Sequence, residues 1–250
     1  MSWLSRQAAR GRPEHELMAS PGRDIAVTAV TLTLTAVVFV AVAEHGVLAH
    51  IQRVDNSWLR LMVANRSAPV TAIAKVFNLL GLVSVTLPVR IAIAGFLILR
   101  RAWWHLAAFV AAIVLSEVLI GTLKGIYDRA RPPGSLVATS GASFPSGHSI
   151  AASVTIVAAV IALVPPGRRR AWWGTGAVAF SILMALSRAY LGAHWLSDAI
   201  AGVLLGTSCA LLTALVVGAL QRRWGRRQPA GPSPPAGEQA SGTTEPVDRR

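Results

Sequence analysis

The chain has 250 residues, of which 53% are hydrophobic and 14% charged, with a formal net charge of +13 at pH 7. A soluble domain carries about one-quarter charged residues, so this composition argues against one and favours several membrane spans. The basic residues cluster at the ends of apolar runs, as in membrane proteins, and we therefore expect no nucleic-acid partner. The single cysteine, Cys209, excludes an intrachain disulfide and a cysteine metal cage.

Apolar runs of about 20 residues are long enough to cross a bilayer. The candidate spans cover approximately residues 25–43, 82–99, 102–126, 146–164, 172–189 and 194–220. The second span contains Pro88 and Arg90, and a short helix over residues 71–82 is expected to lead into it. The mixed-charge segment between the first span and that helix is expected to lie at the membrane interface. The sequence therefore predicts an all-α, polytopic membrane helical bundle with about six transmembrane helices.

Both ends of the chain are expected to lie outside the six-span domain, which we place at residues 25–220. Residues 1–24 are polar and Arg-rich without a cleavable signal pattern, so the first span should act as an uncleaved anchor. Residues 221–250 are largely rich in Pro, Gly, Ser and Thr and are expected to form a disordered tail. Lys and Arg are in excess on the side of the N-terminus, so we expect a cell-membrane protein with both termini in the cytoplasm.

Unusual polar residues fall at helix ends on the opposite, extracytoplasmic side. Charge that faces lipid costs a few kcal/mol, so these side chains should instead face a shared polar cavity inside the bundle. They are Lys124 at the end of the third span and Arg131 after it, Pro145-Ser146-Gly147-His148 at the start of the fourth, Arg188 at the end of the fifth, and His194 and Asp198 at the start of the sixth.

These residue types suit a phosphate group. Ser146 is a good N-cap, and the start of a helix beside the small residue Gly147 attracts anions. Lys124 and Arg131 are seven positions apart and share a helix face if the helix continues that far. With Arg188 they supply three cations for a phosphate and for its more highly charged transition state.

The two histidines suit phosphoryl transfer. His194 and Asp198 are four positions apart, one helical turn, so the carboxylate can accept a hydrogen bond from one ring nitrogen. The other nitrogen is then free to attack phosphorus. His148, from the opposite loop, can protonate the departing oxygen.

Three motifs carry a family resemblance: Lys124-x6-Arg131-Pro132, Pro145-Ser146-Gly147-His148 and Ser187-Arg188-x5-His194-x3-Asp198. They resemble the signature motifs of the type 2 phosphatidic acid phosphatase superfamily, which includes membrane lipid phosphate phosphatases and soluble vanadium haloperoxidases. The resemblance implies a phosphohistidine on His194, His148 as the acid and Asp198 as the orienting carboxylate. It implies neither metal nor cofactor. The residues that it implies for holding phosphate are Lys124, Arg131, Ser146, Gly147 and Arg188.

The expected activity is hydrolysis of a lipid phosphate or diphosphate, with the substrate's tails in the bilayer. Candidates are undecaprenyl or decaprenyl diphosphate, phosphatidylglycerol phosphate and phosphatidic acid. The Arg- and Ala-rich composition suggests a bacterial source, and with the resemblance it favours the polyprenyl diphosphates. Two alternatives stay open: a phosphotransferase that uses the same histidine, and a non-catalytic protein that binds lipid headgroups. A peroxidase is disfavoured, because six spans leave little room for its soluble scaffold. The oligomeric state is open.

Two further charge pairs are expected. Glu117 lies within the third span, where a carboxylate needs a partner, and Arg90 in the second span is the candidate. A structural pair and a role toward the substrate both stay open for these two residues. Asp128 and Arg129 are expected to pair locally and to take no part in catalysis.

Overall fold

A computed structural model describes residues 15–18 and 20–227 of the chain. Within these residues all regular secondary structure is α-helical, which confirms the all-α class. The helices are α1 (Pro21–Ala43), α2 (His45–Ala64), α3 (Ala68–Leu80), α4 (Val83–Leu99), α5 (Trp103–Tyr127), α6 (Gly147–Leu163), α7 (Arg168–Tyr190) and α8 (Leu196–Arg227).

The long helix α8 is the centre of the bundle and packs against α6, α5, α1 and α7. Its closest approach is to α6, at Gly202 and Gly206. A Cβ added at Gly202 would lie 2.7 Å from the Ser146 carbonyl oxygen, and one at Gly206 would lie 2.6 Å from the Ile150 carbonyl oxygen. The two backbones therefore meet only because these residues lack side chains. This contact holds the start of α6 against the start of α8, where the site lies.

The outer surface of the bundle is apolar, as a bilayer requires. Val30, Val40 and Val118 are each about 60% exposed, and many other aliphatic side chains share this exposure. Among the residues that the structure describes, three helices are long and apolar enough to cross a membrane: Pro21–Ala43, Trp103–Tyr127 and the stretch Leu196–Gly225. The bent pair α3–α4 would make a fourth, and α6 is apolar but shorter. The chain is a membrane protein, and the count of six spans stays a prediction.

The ends of the bundle differ from the predicted boundaries. Helix α1 begins at Pro21, before Ile25, because the Ser20 N–H donates to the Asp24 carboxylate at 3.1 Å and closes the first turn. Helix α8 continues past Leu220 into the predicted tail. Gln221 explains this extension, since its side-chain oxygen accepts from the Leu17 N–H at 3.3 Å. Residues 1–14, 19 and 228–250 lie outside the described residues, so the predicted tail is described only over its helical start.

Helices α2, α3 and α4 precede the sequence motifs in the chain and form one side of the bundle. The predicted interfacial segment contains the helix α2. Helices α3 and α4 meet at Gly81–Leu82 with a bend of 52°. This bend brings the backbone of Gly81 to the side chain of His148.

The predicted intramembrane ion pair is confirmed. Arg90 Nη1 of α4 lies 2.7 Å from Glu117 Oε1 of α5. Arg90 Nε also donates to Thr155 Oγ1 of α6 at 3.0 Å, so one guanidinium links three helices.

Candidate active site

The predicted site residues come together at one end of the bundle. Lys124 and Arg188 lie in the last turns of α5 and α7, His148 lies in the first turn of α6, and His194 lies in the turn before α8. Lys124, Arg131, Arg188 and His194 are all close enough to act electrostatically on the His148 imidazole. Four separate helix ends and a loop therefore supply one cluster of two imidazoles and three cations.

His194 is held in one tautomer by its neighbours. Its side chain is 3% exposed, and Nδ1 lies 2.7 Å from the Ser143 carbonyl oxygen, an acceptor that requires Nδ1–H. Nε2 lies 3.3 Å from Arg131 Nη1, a donor that requires a lone pair on Nε2. Both contacts thus favour the neutral ring with its lone pair on Nε2. The pKa of His194 is lowered to about 4, chiefly by burial and also by the charges of Arg188 and Arg131, while Asp198 acts in the opposite direction.

Asp198 does not orient His194 in the way that the spacing predicted. His194 precedes the helix, and its Nδ1 lies 3.8 Å from Asp198 Oδ2, while the hydrogen bond goes to Ser143. Asp198 Oδ2 instead accepts from the Ser143 hydroxyl and from the Trp195 N–H at 2.9 Å, and therefore caps the start of α8. Asp198 Oδ1 pairs with Arg129 Nη1 at 2.6 Å. Asp198 therefore orients His194 through Ser143, while its charge acts on the imidazole directly.

Lys124 and Arg131 reach the site by a different route from the one predicted. Helix α5 ends at Tyr127, because Asp128 adopts the left-handed conformation with φ of 35°, so the two cations do not share a continuous helix. Arg131 sits in the following loop, and its guanidinium donates to carbonyl oxygens of that loop and to Ala193 O at 2.7 Å. This wrapping fixes Arg131 beside His194 and leaves it few donors for a ligand.

Other donors in the cluster are unused. Arg188 is 2% exposed; its Nη1 donates to Asn78 Oδ1, while its Nε is buried without a partner in the described part of the chain. His148 Nε2 is likewise buried without a partner there. Because an unsatisfied buried donor is costly, both atoms fit a site that accepts an anion.

The start of α6 has the geometry of an anion site. Ser146 takes the N-cap position with an extended backbone, as predicted, although its side chain makes no capping hydrogen bond. Its N–H donates to the Asp198 carbonyl at 3.1 Å, which fixes α6 against α8. A Cβ added at Gly147 would meet nothing within 4 Å, so there is open space at the first turn. The free N–H groups of that turn point toward the end of the bundle where the cations lie.

Several residues of this site were missed or misread from sequence. Arg129 was expected to pair locally with Asp128, and this was wrong. The Arg129 side chain is 8% exposed and forms ion pairs with Asp198 and, at 2.8 Å, with Asp55 of α2. Asn78 and Gly81 contact Arg188 and His148 from the α3–α4 bend. Asp55 could have been found from the sequence, because it is a charged residue at an apolar-facing position of α2. No comparable sequence signal marked Asn78 or Gly81 as residues of the site.

The fold and this cluster define a helical membrane protein with a histidine and cation site at one end. Residues 102–222 match the model of the PAP2 superfamily. The chain therefore contains a PAP2 superfamily domain, which confirms the family resemblance of the motifs.

Relatives of known activity carry lipid phosphatase names. The chain is 36% identical over 124 residues to a lipid A 1-phosphatase of Rhizobium etli, a match that covers 45% of this chain and 50% of that protein. It is 28% identical over 155 residues to an undecaprenyl-diphosphatase of Sulfolobus acidocaldarius, covering 59% and 62%. The matches thus span about half to two-thirds of these relatives' lengths.

The fold itself is similar to a solved structure. The crystal structure of a transmembrane PAP2-type phosphatidylglycerolphosphate phosphatase from Bacillus subtilis matches 80% of this chain and 98% of that one, with a TM-score of 0.66 and 24% identity. At this identity the likeness establishes the fold.

Proposed function

We propose that this protein is an integral membrane phosphatase that hydrolyses a lipid phosphate or diphosphate through a phosphohistidine on His194. The observation that carries the proposal is the neutral imidazole of His194, whose Nε2 lone pair faces Arg131 and whose ring lies within electrostatic range of Arg188 and His148. Lys124 lies within the same range of His148. A nucleophilic nitrogen inside a cluster of cations suits attack on a phosphate dianion, because the cations attract the substrate and stabilise its transition state.

The reaction proceeds in two displacements. In the first, His194 Nε2 attacks phosphorus, the bond from phosphorus to the leaving oxygen breaks, and His148 donates a proton to that oxygen. In the second, His148 takes a proton from water, which attacks the phosphohistidine, and the N–P bond breaks to release inorganic phosphate. The negative charge of bound phosphate offsets the cations and favours the protonated form of His148. Asp198 acts as a positioning residue through Ser143.

The substrate's hydrocarbon tail has a place next to the phosphate cluster. A groove of about 290 Å³ runs between α2, α3 and α7, with a lining that is almost entirely apolar. It is lined by Trp58, Met62, Val70, Ile73, Ala74, Phe77, Leu183, Leu186, Ser187 and Tyr190. Its lining includes Phe77 and Ser187, the chain neighbours of Asn78 and Arg188, so the groove lies near the cation cluster. An acyl or prenyl chain in this groove would bring its headgroup near the site.

The substrate class follows from this pairing of cations with an apolar groove. Polyprenyl diphosphate, phosphatidylglycerol phosphate, lipid A phosphate and phosphatidic acid all combine a phosphate with hydrocarbon. The names of the relatives support this class, and the polyprenyl diphosphates stay our first candidate. We place the site on the extracytoplasmic side of the cell membrane because of the distribution of Lys and Arg.

A phosphate-release assay across these four lipids in detergent micelles tests the proposal. The wild-type protein should release phosphate from at least one lipid, and His194→Gln and His148→Gln should each reduce the rate at least a thousandfold, as expected for a nucleophile and its acid. Circular dichroism and size-exclusion profiles should match the wild type. Near-normal turnover in His194→Gln would overturn the phosphohistidine step.

Two additions to the assay separate the alternatives. An added alcohol that becomes phosphorylated in place of water would identify a phosphotransferase. Binding of the lipids with no phosphate release at any pH would identify a headgroup-binding protein. EDTA should leave the rate unchanged, and an inhibition that Mg²⁺ reverses would contradict the metal-free scheme.

A further inference from the structure

A buried charge network joins α2 to the start of α8. Arg129 lies at its centre, with Nη2 2.8 Å from Asp55 Oδ2 and Nη1 2.6 Å from Asp198 Oδ1. The exposed fractions of the three side chains are 8%, 2% and 0%. Gln52 and Ser197 accept from the same guanidinium at 2.7 Å each. A planar guanidinium that bridges two buried carboxylates holds both in fixed positions.

Asp55 also contacts α8 directly. Its Oδ1 accepts from the Ser197 N–H at 3.0 Å and its Oδ2 accepts from the Ser197 hydroxyl at 2.6 Å. A carboxylate that receives N–H bonds in the first turn of a helix stabilises that turn. Asp55 thus fixes the start of α8 at Ser197, next to Asp198.

The network ends at His194. Ser143 is held at two points, because its N–H donates to the Arg129 carbonyl at 2.7 Å and its hydroxyl donates to Asp198. These two bonds set the direction of the Ser143 carbonyl, which accepts from His194 Nδ1. The path from Asp55 through Arg129, Asp198 and Ser143 to His194 therefore consists of direct hydrogen bonds throughout.

We propose that Asp55 is a positioning residue for the reaction of His194: through Arg129 it fixes Asp198 and Ser143, and these hold the imidazole with its lone pair on Nε2. The proposal rests on the proposed function. Asp55 and Gln52 lie outside the segment 102–222 that matches the PAP2 model. Helix α2 therefore completes a site whose reacting groups all belong to the family domain.

The test compares Asp55→Asn and Arg129→Lys with Glu44→Gln. The first removes one buried charge with little change in shape, and the second keeps the charge of the bridge but cannot contact both carboxylates. Glu44 is an exposed acidic residue just before α2 and serves as the matched control. We expect kcat to fall about tenfold to a hundredfold in both network variants, as for a displaced reacting group, with KM changed less than about threefold. Glu44→Gln should behave as the wild type.

A second measurement does not depend on activity. In protein labelled with ¹⁵N-histidine, with the His194 signals assigned by means of His194→Gln, the wild type should show one neutral tautomer with the proton on Nδ1. Asp55→Asn should show a mixture of tautomers. Ser197→Ala removes one hydrogen bond to Asp55 and one to Arg129 without changing any charge, and it should also produce a mixture of tautomers. This variant allows the test to be made if the charge variants do not fold.

The outcomes are distinct. Wild-type kcat in Asp55→Asn, or an unchanged His194 tautomer in the folded variants, would overturn the positioning role. A fall in melting temperature with an unchanged tautomer would show that Asp55 only stabilises the fold, which also overturns it. If the wild-type protein releases no phosphate from any lipid, the proposed function fails, while the tautomer measurement still decides whether Asp55 positions His194.

Discussion

At the scale of single residues, the burial of His194 lowers the stability of the folded protein at low pH. Its folded-state pKa is lowered to about 4 from an ordinary value near 6.5. Between these two values the unfolded chain binds a proton at this position that the folded chain does not, so the free energy of unfolding falls as the pH is lowered from about 6.5 to 4. Above pH 6.5 the residue adds no pH dependence.

We therefore expect the melting temperature of the detergent-solubilised protein to fall as the pH is lowered from 7 to 4, and to fall less steeply in His194→Gln. Differential scanning fluorimetry at half-unit pH steps measures both slopes. The pKa of His15 is also lowered to about 4 by burial, so His15→Gln is a useful second variant that should remove a separate part of the slope. Equal slopes in the wild type and His194→Gln would contradict the assignment of a neutral, buried imidazole.

A second prediction at this scale concerns Gly81. A Cβ at this position would lie 2.5 Å from His148 Cδ2 and 3.1 Å from His148 Cβ, so Gly81→Ala must displace the imidazole. We expect kcat for phosphate release to fall at least about tenfold, with the lipid still bound, because a displacement of this size disturbs proton transfer. Kinetics in micelles measure the effect.

Gly95→Ala is the matched control, because a Cβ there meets nothing within 4 Å in the helix that follows the same bend. It should keep the wild-type rate. A wild-type rate in Gly81→Ala would show that His148 does not need its present position.

The candidate site residues of the motifs were predictable from the sequence, but the hydrogen-bond partner of His194 Nδ1 was not. The motifs identified His148, His194 and the cations, because each is costly in an apolar setting and needs a cavity. They could not identify the partner of His194 Nδ1, since a spacing of four suggests a helical contact only if both residues lie in the helix. The turn before α8 breaks that condition, and the backbone of Ser143 takes the place assigned to Asp198.

At the scale of elements, the contact between α6 and α8 sets the position of the site. Gly206→Ala would place a methyl group 2.6 Å from the Ile150 carbonyl oxygen and closer still to the Ser153 hydroxyl. A backbone oxygen cannot rotate away, so the helices must separate. We expect the free energy of unfolding to fall by about 1–3 kcal/mol, as for overpacked cores, and the melting temperature by about 2–10 °C.

Thermal unfolding of Gly206→Ala beside Gly225→Ala measures this contact. Gly225 lies in the same helix near its end, and a Cβ there meets nothing within 4 Å, so alanine should be neutral or slightly stabilising. An unchanged melting temperature in Gly206→Ala would mean that the two helices are not in contact at this point.

The elements themselves were largely predictable, because apolar runs of sufficient length leave few alternatives to helix in a membrane. The pairing of Arg90 with Glu117 followed from the same reasoning, since an intramembrane charge needs a partner. The end of α5 was not predictable, because it depends on the left-handed backbone of Asp128, a conformation that is more usual for glycine or asparagine. The contribution of α2 to the site was not predictable either, because Asp55 meets Arg129 and Ser197 only through tertiary packing.

At the scale of the whole molecule, the two ends of the bundle face opposite sides of the membrane in our proposal. The loop between α5 and α6 and the turn between α7 and α8 form the site, whereas the connection between α6 and α7 lies at the other end. Cytoplasmic loops of membrane proteins carry an excess of Lys and Arg, and here Arg168, Arg169 and Arg170 begin α7 at the end away from the site. Their number favours a cytoplasmic location for that end.

Cysteine labelling in intact cells tests this sidedness. Cys209 is 2% exposed and should give little background. Thr139 is exposed in the loop beside the site, and Arg169 is exposed at the opposite end. We expect a membrane-impermeant maleimide to label Thr139→Cys in intact cells and Arg169→Cys only after permeabilisation. The reverse pattern would place the site in the cytoplasm and would restrict the substrates to lipids whose phosphate faces inward.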